Sequence, residues 1–140
     1  MIRGEVRRER LIPAVDISRI IDLLEKLVNI FEENFPRRED DILANAERQT
    51  AAGSAITTIT WYVVKGYNAY IKKLYVDAVS NVTYKWKVPF KQLEFEGNEI
   101  EFVRPLVIPS EKTLVLEMTN TGTTDQNVDI LITGWGRKLG

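Results

Sequence analysis

The chain has no cysteine and no histidine. Without cysteine there are no disulfides and no thiolate metal sites, and the redox compartment leaves no mark on the sequence. Without histidine the commonest general base and the commonest transition-metal ligand are missing. That argues against zinc, copper and haem chemistry, so no metal and no cofactor is expected. An excess of one charge is absent as well: 19 Lys and Arg stand against 20 Asp and Glu, for a formal net charge of -1. No global field favours nucleic acid or an acidic membrane. Long apolar runs are lacking too. The opening "MIRGEVRRERLIPAV" is basic but leads into no apolar core of signal-peptide length. The expectation is a chain with no signal peptide and no membrane span, kept in the cell or carried in an assembly.

Nucleophiles are scarce. Ser18, Ser54, Ser80 and Ser110 are the serines, and none sits in a G-x-S-x-G elbow. No histidine can activate them. "GTTDQN" and "GWGRKLG" lack the strand–loop–helix context of a phosphate loop. The chain is therefore read as a non-enzyme.

What is present is a folded-protein composition, 44% hydrophobic and 28% charged over 140 residues, with few methionines among many Glu, Lys, Arg, Ile and Val, as in thermophiles. Length and pattern suggest three parts. Residues 1–15 form a basic arm with Arg3, Arg7, Arg8 and Arg10, which is either a solvated tail or a contact with a neighbouring subunit or acidic surface. Residues 16–53 read as helical. Residues 54–140 read as a β-domain.

The helix is clearest in "DISRIIDLLEKLVNIFEENF", capped by Asp16 and stopped by Pro36. On a heptad ruler, Ile17, Ile20, Leu24, Leu27 and Phe31 take positions a and d. Ile21 and Val28 take e, and Leu23 and Ile30 take g. An ordinary surface helix buries about three of seven positions, and this one offers four. Burying about ten such side chains at roughly 1.5–3 kcal/mol each would dominate a small domain. Two readings are open. The helix is sunk in a groove of its own monomer, or its wide face meets neighbouring helices in a homo-oligomer. Leu23 and Ile30 decide between them. The following "RREDDILANAERQTAAG" is read as a second, weaker helix with a thin stripe of Ile42, Leu43 and Ala46.

From Ser54 the period changes to two. "SAITTITWYVV", "YIKKLYVDAV" and "NVTYKWKV" are strands, the second with Leu74, Val76 and Ala78 inward, the third with Val82, Tyr84, Trp86 and Val88 on one face. "LEFEGNEIEF" reads as a two-residue hairpin at Gly97–Asn98, with Leu93 and Phe95 facing Ile100 and Phe102. Its four outward glutamates call for a basic neighbour, for which Lys85 and Lys87 are candidates. A Pro-bracketed edge or crossover strand follows, then strands with Leu114, Leu116 and Met118 inward and Val128, Ile130 and Ile132 inward. Seven to eight strands without an intervening helix predict an antiparallel β-sandwich or jelly roll, so the fold is α+β, mainly β.

Three constellations could carry function. Glu94, Glu96, Glu99 and Glu101 could supply paired carboxylates but read better as a solvated strand face. Asp125 and Asp129, near Asn120 and Asn127, lack the ladder of a calcium loop. The aromatics are dense. Tyr84 and Trp86 share the core face, which leaves Tyr67, Tyr70 and Tyr75 as the candidate exposed platform for a glycan.

The segment "LVIPSEKTLVLEMTNTGTTDQNVDILITGWG", with the preceding "YIKKLYVDAV" and "TYKWKV", resembles small β-sandwich structural proteins of tailed phages and other viruses. The likeness lies in the Pro-bracketed strand, the inward Leu-x-Leu strand, the "TNTG" loop and the final "G-W" strand, over about residues 54–136. It implies a virion component: a decoration, minor capsid or fibre protein that self-associates through its helix and meets other virion proteins. The alternative is a carbohydrate- or receptor-binding sandwich.

Overall fold

The computed structural model describes residues 14–140, apart from the side chains of residues 14–16, 29 and 31–33. The chain divides into two units at Pro36–Arg37.

The first unit carries α1, Ala14–Asn34. It starts two residues before the expected cap at Asp16 and ends just before Pro36. Its large apolar side chains, among the described residues, are open to solvent. Leu23 is 59% exposed and Ile30 is 46% exposed. Among the described residues no helix is long and apolar enough to cross a membrane. The arm residues Arg3, Arg7, Arg8 and Arg10 lie outside the described residues, and so does the side chain of Phe31.

The second unit is a sandwich of eight antiparallel strands. They are β1 (Asp41–Ala51), β2 (Ala55–Tyr62), β3 (Tyr67–Val76), β4 (Val82–Val88), β5 (Leu93–Glu96), β6 (Glu99–Ile108), β7 (Thr113–Asn120) and β8 (Gln126–Lys138). One sheet runs β1-β8-β3-β6 and the other runs β2-β7-β4-β5. A 3-10 turn at Pro89–Lys91 follows β4. The expected mainly-β fold of seven to eight strands is what the chain forms.

Three local expectations are corrected. The second helix over residues 37–53 does not form. β1 lies along β8 for eleven residue pairs, from Asp41 opposite Gly136 to Ala51 opposite Gln126. The helix propensity of its Ala, Glu and Arg residues yields to this continuous ladder. The second correction concerns "LEFEGNEIEF". The chain does reverse at Gly97, whose φ is 124°. However, β5 pairs with β4 and β6 pairs with β3, so the turn joins the two sheets and closes no ladder. Phe95 and Phe102 meet edge to face, 5.3 Å apart. Third, Ala78 is exposed, beyond the end of β3 at Val76.

The core lies between the sheets. Leu74, Val76, Trp86, Val88, Leu116, Met118, Val128 and Ile130 are essentially excluded from water. They come from the alternate positions of β3, β4, β7 and β8, as a pleated strand requires. Trp61 of β2 stacks on Trp86, with centroids 6.1 Å apart. One buried polar side chain sits among them: Asn120 Nδ2 donates to Ala51 O at 3.0 Å and to Thr124 O at 2.9 Å, while its Oδ1 accepts from Gly122 N at 2.9 Å. The "TNTG" loop is therefore held from inside. In the middle of β8, Gly134 is obligatory, because a Cβ there would come within 1.8 Å of Tyr70 O. This close approach accompanies a β-bulge in β3, where the register skips Lys72.

Candidate functional site

The structure separates the sequence-derived candidates. The acidic quartet does not converge. Glu99 pairs with Lys73 at 2.9 Å and Glu94 with Lys85 at 3.9 Å, while Lys87 pairs with Glu117 at 2.6 Å. These are solvated ion pairs, each worth little. The loop acids have structural partners: Asp125 accepts from Gly53 N at 2.8 Å, and Asp129 pairs with Arg48 at 2.9 Å. Among the described residues no group of three acidic side chains could hold a metal ion.

The three tyrosines do not make one platform. Tyr70 is 9% exposed and lies parallel to Trp135, with centroids 5.5 Å apart. The guanidinium carbon of Arg137 stands 4.6 Å from the centre of the Tyr70 ring. Tyr75 donates its hydroxyl to Asp77 Oδ1 at 3.0 Å, in the next loop. Tyr67 lines a cleft to which neither of the others contributes. Tyr84 and Trp86 are in the core, as their shared face with Val82 and Val88 predicts. Tyr84 donates to Asp77 O at 2.6 Å, and burial pushes its phenol pKa up to about 12.

That cleft is a concave feature that sequence reading missed. β1 and β2 are edge strands of opposite sheets. They meet where Trp61 Nε1 donates to Glu47 Oε1 at 2.8 Å. Beyond this link, toward Asp41 and Tyr62, the sandwich stays open around a cavity of about 460 Å³. Ile71, Ile108, Leu114 and Ile132 are its buried apolar wall. Tyr62 and Val64, 73% and 69% exposed, stand at its rim. The sequence signal was the alternation of β1 itself. Asp41, Leu43, Asn45 and Glu47 share one face, and this mostly polar set cannot seal the edge of a core.

The second candidate surface is α1. Of the nine residues expected to mediate oligomerisation, eight have described side chains: Ile17, Ile20, Ile21, Leu23, Leu24, Leu27, Val28 and Ile30. All eight are between 46% and 60% exposed.

No protein-family model matches the chain, and no curated protein matches it. Two solved structures are distantly similar to the chain. PliG of Salmonella Typhimurium, a periplasmic inhibitor of g-type lysozyme, is 10% identical, with a TM-score of 0.42, and the match covers 71% of this chain and 92% of that one. A mutant of the corresponding periplasmic inhibitor from Escherichia coli is 11% identical, with a TM-score of 0.38 and the same two coverages. Both are bacterial periplasmic inhibitors, and this finding overturns the virion resemblance and the decoration, capsid or fibre role drawn from it. It equally removes the support for placing the chain in a virion or in the cytoplasm.

Proposed function

We propose that the chain is a non-enzymatic protein-binding module whose contact surface is the apolar face of α1. One observation carries the reading: eight large aliphatic side chains on one helix are half open to water in the single chain. Contiguous apolar surface of this kind marks an interaction site. An isolated helix of this length is marginal in water, so the face needs a partner to be stable.

The partner that fits is a helix with the same face, supplied by further copies of the chain. Twenty-one residues at 1.5 Å rise give a rod of about 31 Å, or three heptads. A contact between two helices covers positions a and d and leaves Ile21 and Val28 at e, or Leu23 and Ile30 at g, in water. Three or more helices cover all four positions and leave Arg19, Asp22, Glu25 and Lys26 outside.

Light scattering on the full chain at micromolar concentration tests this. The expected mass is three or more times 16.1 kDa. Leu24→Asp combined with Leu27→Asp is expected to return a single copy while tryptophan fluorescence stays native. A wild-type chain that runs as a monomer overturns the proposal. Titration with a g-type lysozyme asks separately whether the activity named for the two structural neighbours extends to this sandwich.

A further inference from the structure

We propose that the cleft between β1 and β2 binds an organic cation: a small apolar body carrying one protonated amine. The amine sits at Asp41, and the body lies against Ile71, Ile108, Leu114 and Ile132. This site belongs to the sandwich and does not rest on the helix proposal.

Size and surface come first. About 460 Å³ falls within the usual range of small-ligand pockets, roughly 300–1,000 Å³. The wall is aliphatic and continuous with the core, so an apolar body there replaces contact with water. The cavity is too exposed at its rim to be a packing defect, since Tyr62 and Val64 flank an open mouth.

Charge complementarity then chooses the ligand. Among the described lining residues Asp41 is the one with a formal charge, and no lysine or arginine lines the cleft. The other acid on this face of β1, Glu47, is engaged by Trp61. Asp41 forms no salt bridge among the described residues. A carboxylate with no counter-ion beside an apolar wall attracts a cation and repels an anion. Trp61, Tyr62 and Tyr67 are aromatic residues of the same lining. Their faces attract ammonium groups, most strongly where water is thinned out. An apolar anion or a neutral alcohol would find the same wall without this second contact. A sugar would set its hydroxyls against aliphatic carbon.

The test uses the full chain, with octylammonium, octanoate and octanol as probes, followed by methyl-resolved NMR titration. Octylammonium is expected to bind saturably and to shift the methyl signals of Ile71, Ile108, Leu114 and Ile132. Octanoate is expected to bind at least about tenfold more weakly. In Asp41→Asn, whose altered side chain is exposed and leaves the core intact, the two probes are expected to come within about threefold of each other. Three results overturn the proposal. One is equal affinity of the amine and the acid for the wild type. Another is an unchanged amine preference in Asp41→Asn. The third is an absence of saturable shifts at these methyls, including the case where shifts appear on Ile17 to Ile30 alone, which is adsorption of an amphiphile to α1.

Discussion

Arg137 closes on Asp40 across 97 residues of sequence. Its Nε donates to both carboxylate oxygens at 3.1 and 3.2 Å, and its Nη2 donates to Oδ2 at 2.8 Å. The two side chains are 11% and 1% exposed. This fork is the geometry in which Arg–carboxylate pairs are strongest. It ties the start of the sandwich unit to the end of its last strand. The same guanidinium covers Tyr70, which stacks on Trp135, so ion pair and aromatic pair form one layer.

Asp40→Ala is expected to lower stability by about 3 kcal/mol, because it leaves a largely buried guanidinium without its carboxylate. Urea unfolding of the variant measures it. The pH dependence has a definite sign. The hydrogen bonds from Arg137, followed by the Arg37 backbone N–H, hold the Asp40 carboxyl below its ordinary pKa of 3.8 despite burial. The unfolded chain therefore takes up the proton first as pH falls. The contribution is full above the ordinary carboxylate pKa and is lost as pH drops through the lower folded value. Wild type and Asp40→Asn should accordingly converge in stability once the pH has fallen through the folded value, which lies below the ordinary one.

At the alkaline end the residue to follow is Tyr84. Its folded pKa, pushed up to about 12 by burial, lies above the unfolded value of about 10. The stability it contributes is complete below pH 10 and is lost as pH rises through the folded value. Absorbance of tyrosinate during an alkaline titration should show two of the five tyrosines lagging, Tyr75 through its hydrogen bond to Asp77 and Tyr84 through burial, with Tyr84 ionising last and together with unfolding. In Tyr84→Phe that last step is expected to disappear.

Asn120→Ala should cost about 2–3 kcal/mol. It removes three hydrogen bonds and leaves the carbonyl of Ala51 without this donor in the core. Chemical denaturation measures the loss. Faster amide exchange at Gly122 and Ser54 is the accompanying local sign, since Ser54 N donates to Gly122 O at 2.7 Å.

Lys72→Met tests the bulge. Lys72 Nζ donates to Phe102 O at 2.8 Å and to Val103 O at 3.2 Å, where the β3–β6 register jumps from Leu106 to Glu101. Val103 is almost wholly exposed there. Hydrogen exchange is expected to speed up across residues 101–106, with global stability lowered by about 1 kcal/mol.

The sequence by itself determined the elements whose periodicity matches their surroundings. Leu114, Leu116 and Met118, like Val128, Ile130 and Ile132, alternate cleanly and are all buried. They lie in strands covered on one face, where a period of two is the signature of burial. The wide face of α1 was legible for the same reason at a period near 3.6. What only the tertiary structure decided is long-range. β1 reads as helix in its own residues and becomes a strand because β8, some eighty residues later, offers a full ladder. "LEFEGNEIEF" has the local chemistry of a hairpin, yet its halves join different sheets, because β4 and β3 take them as partners. The Asp40–Arg137 fork and the open cleft at Asp41 belong to the same class. Local propensity amounts to a few tenths of a kcal/mol per residue. The ladders, ion pairs and buried walls that outweigh it are made by residues that sequence distance keeps apart.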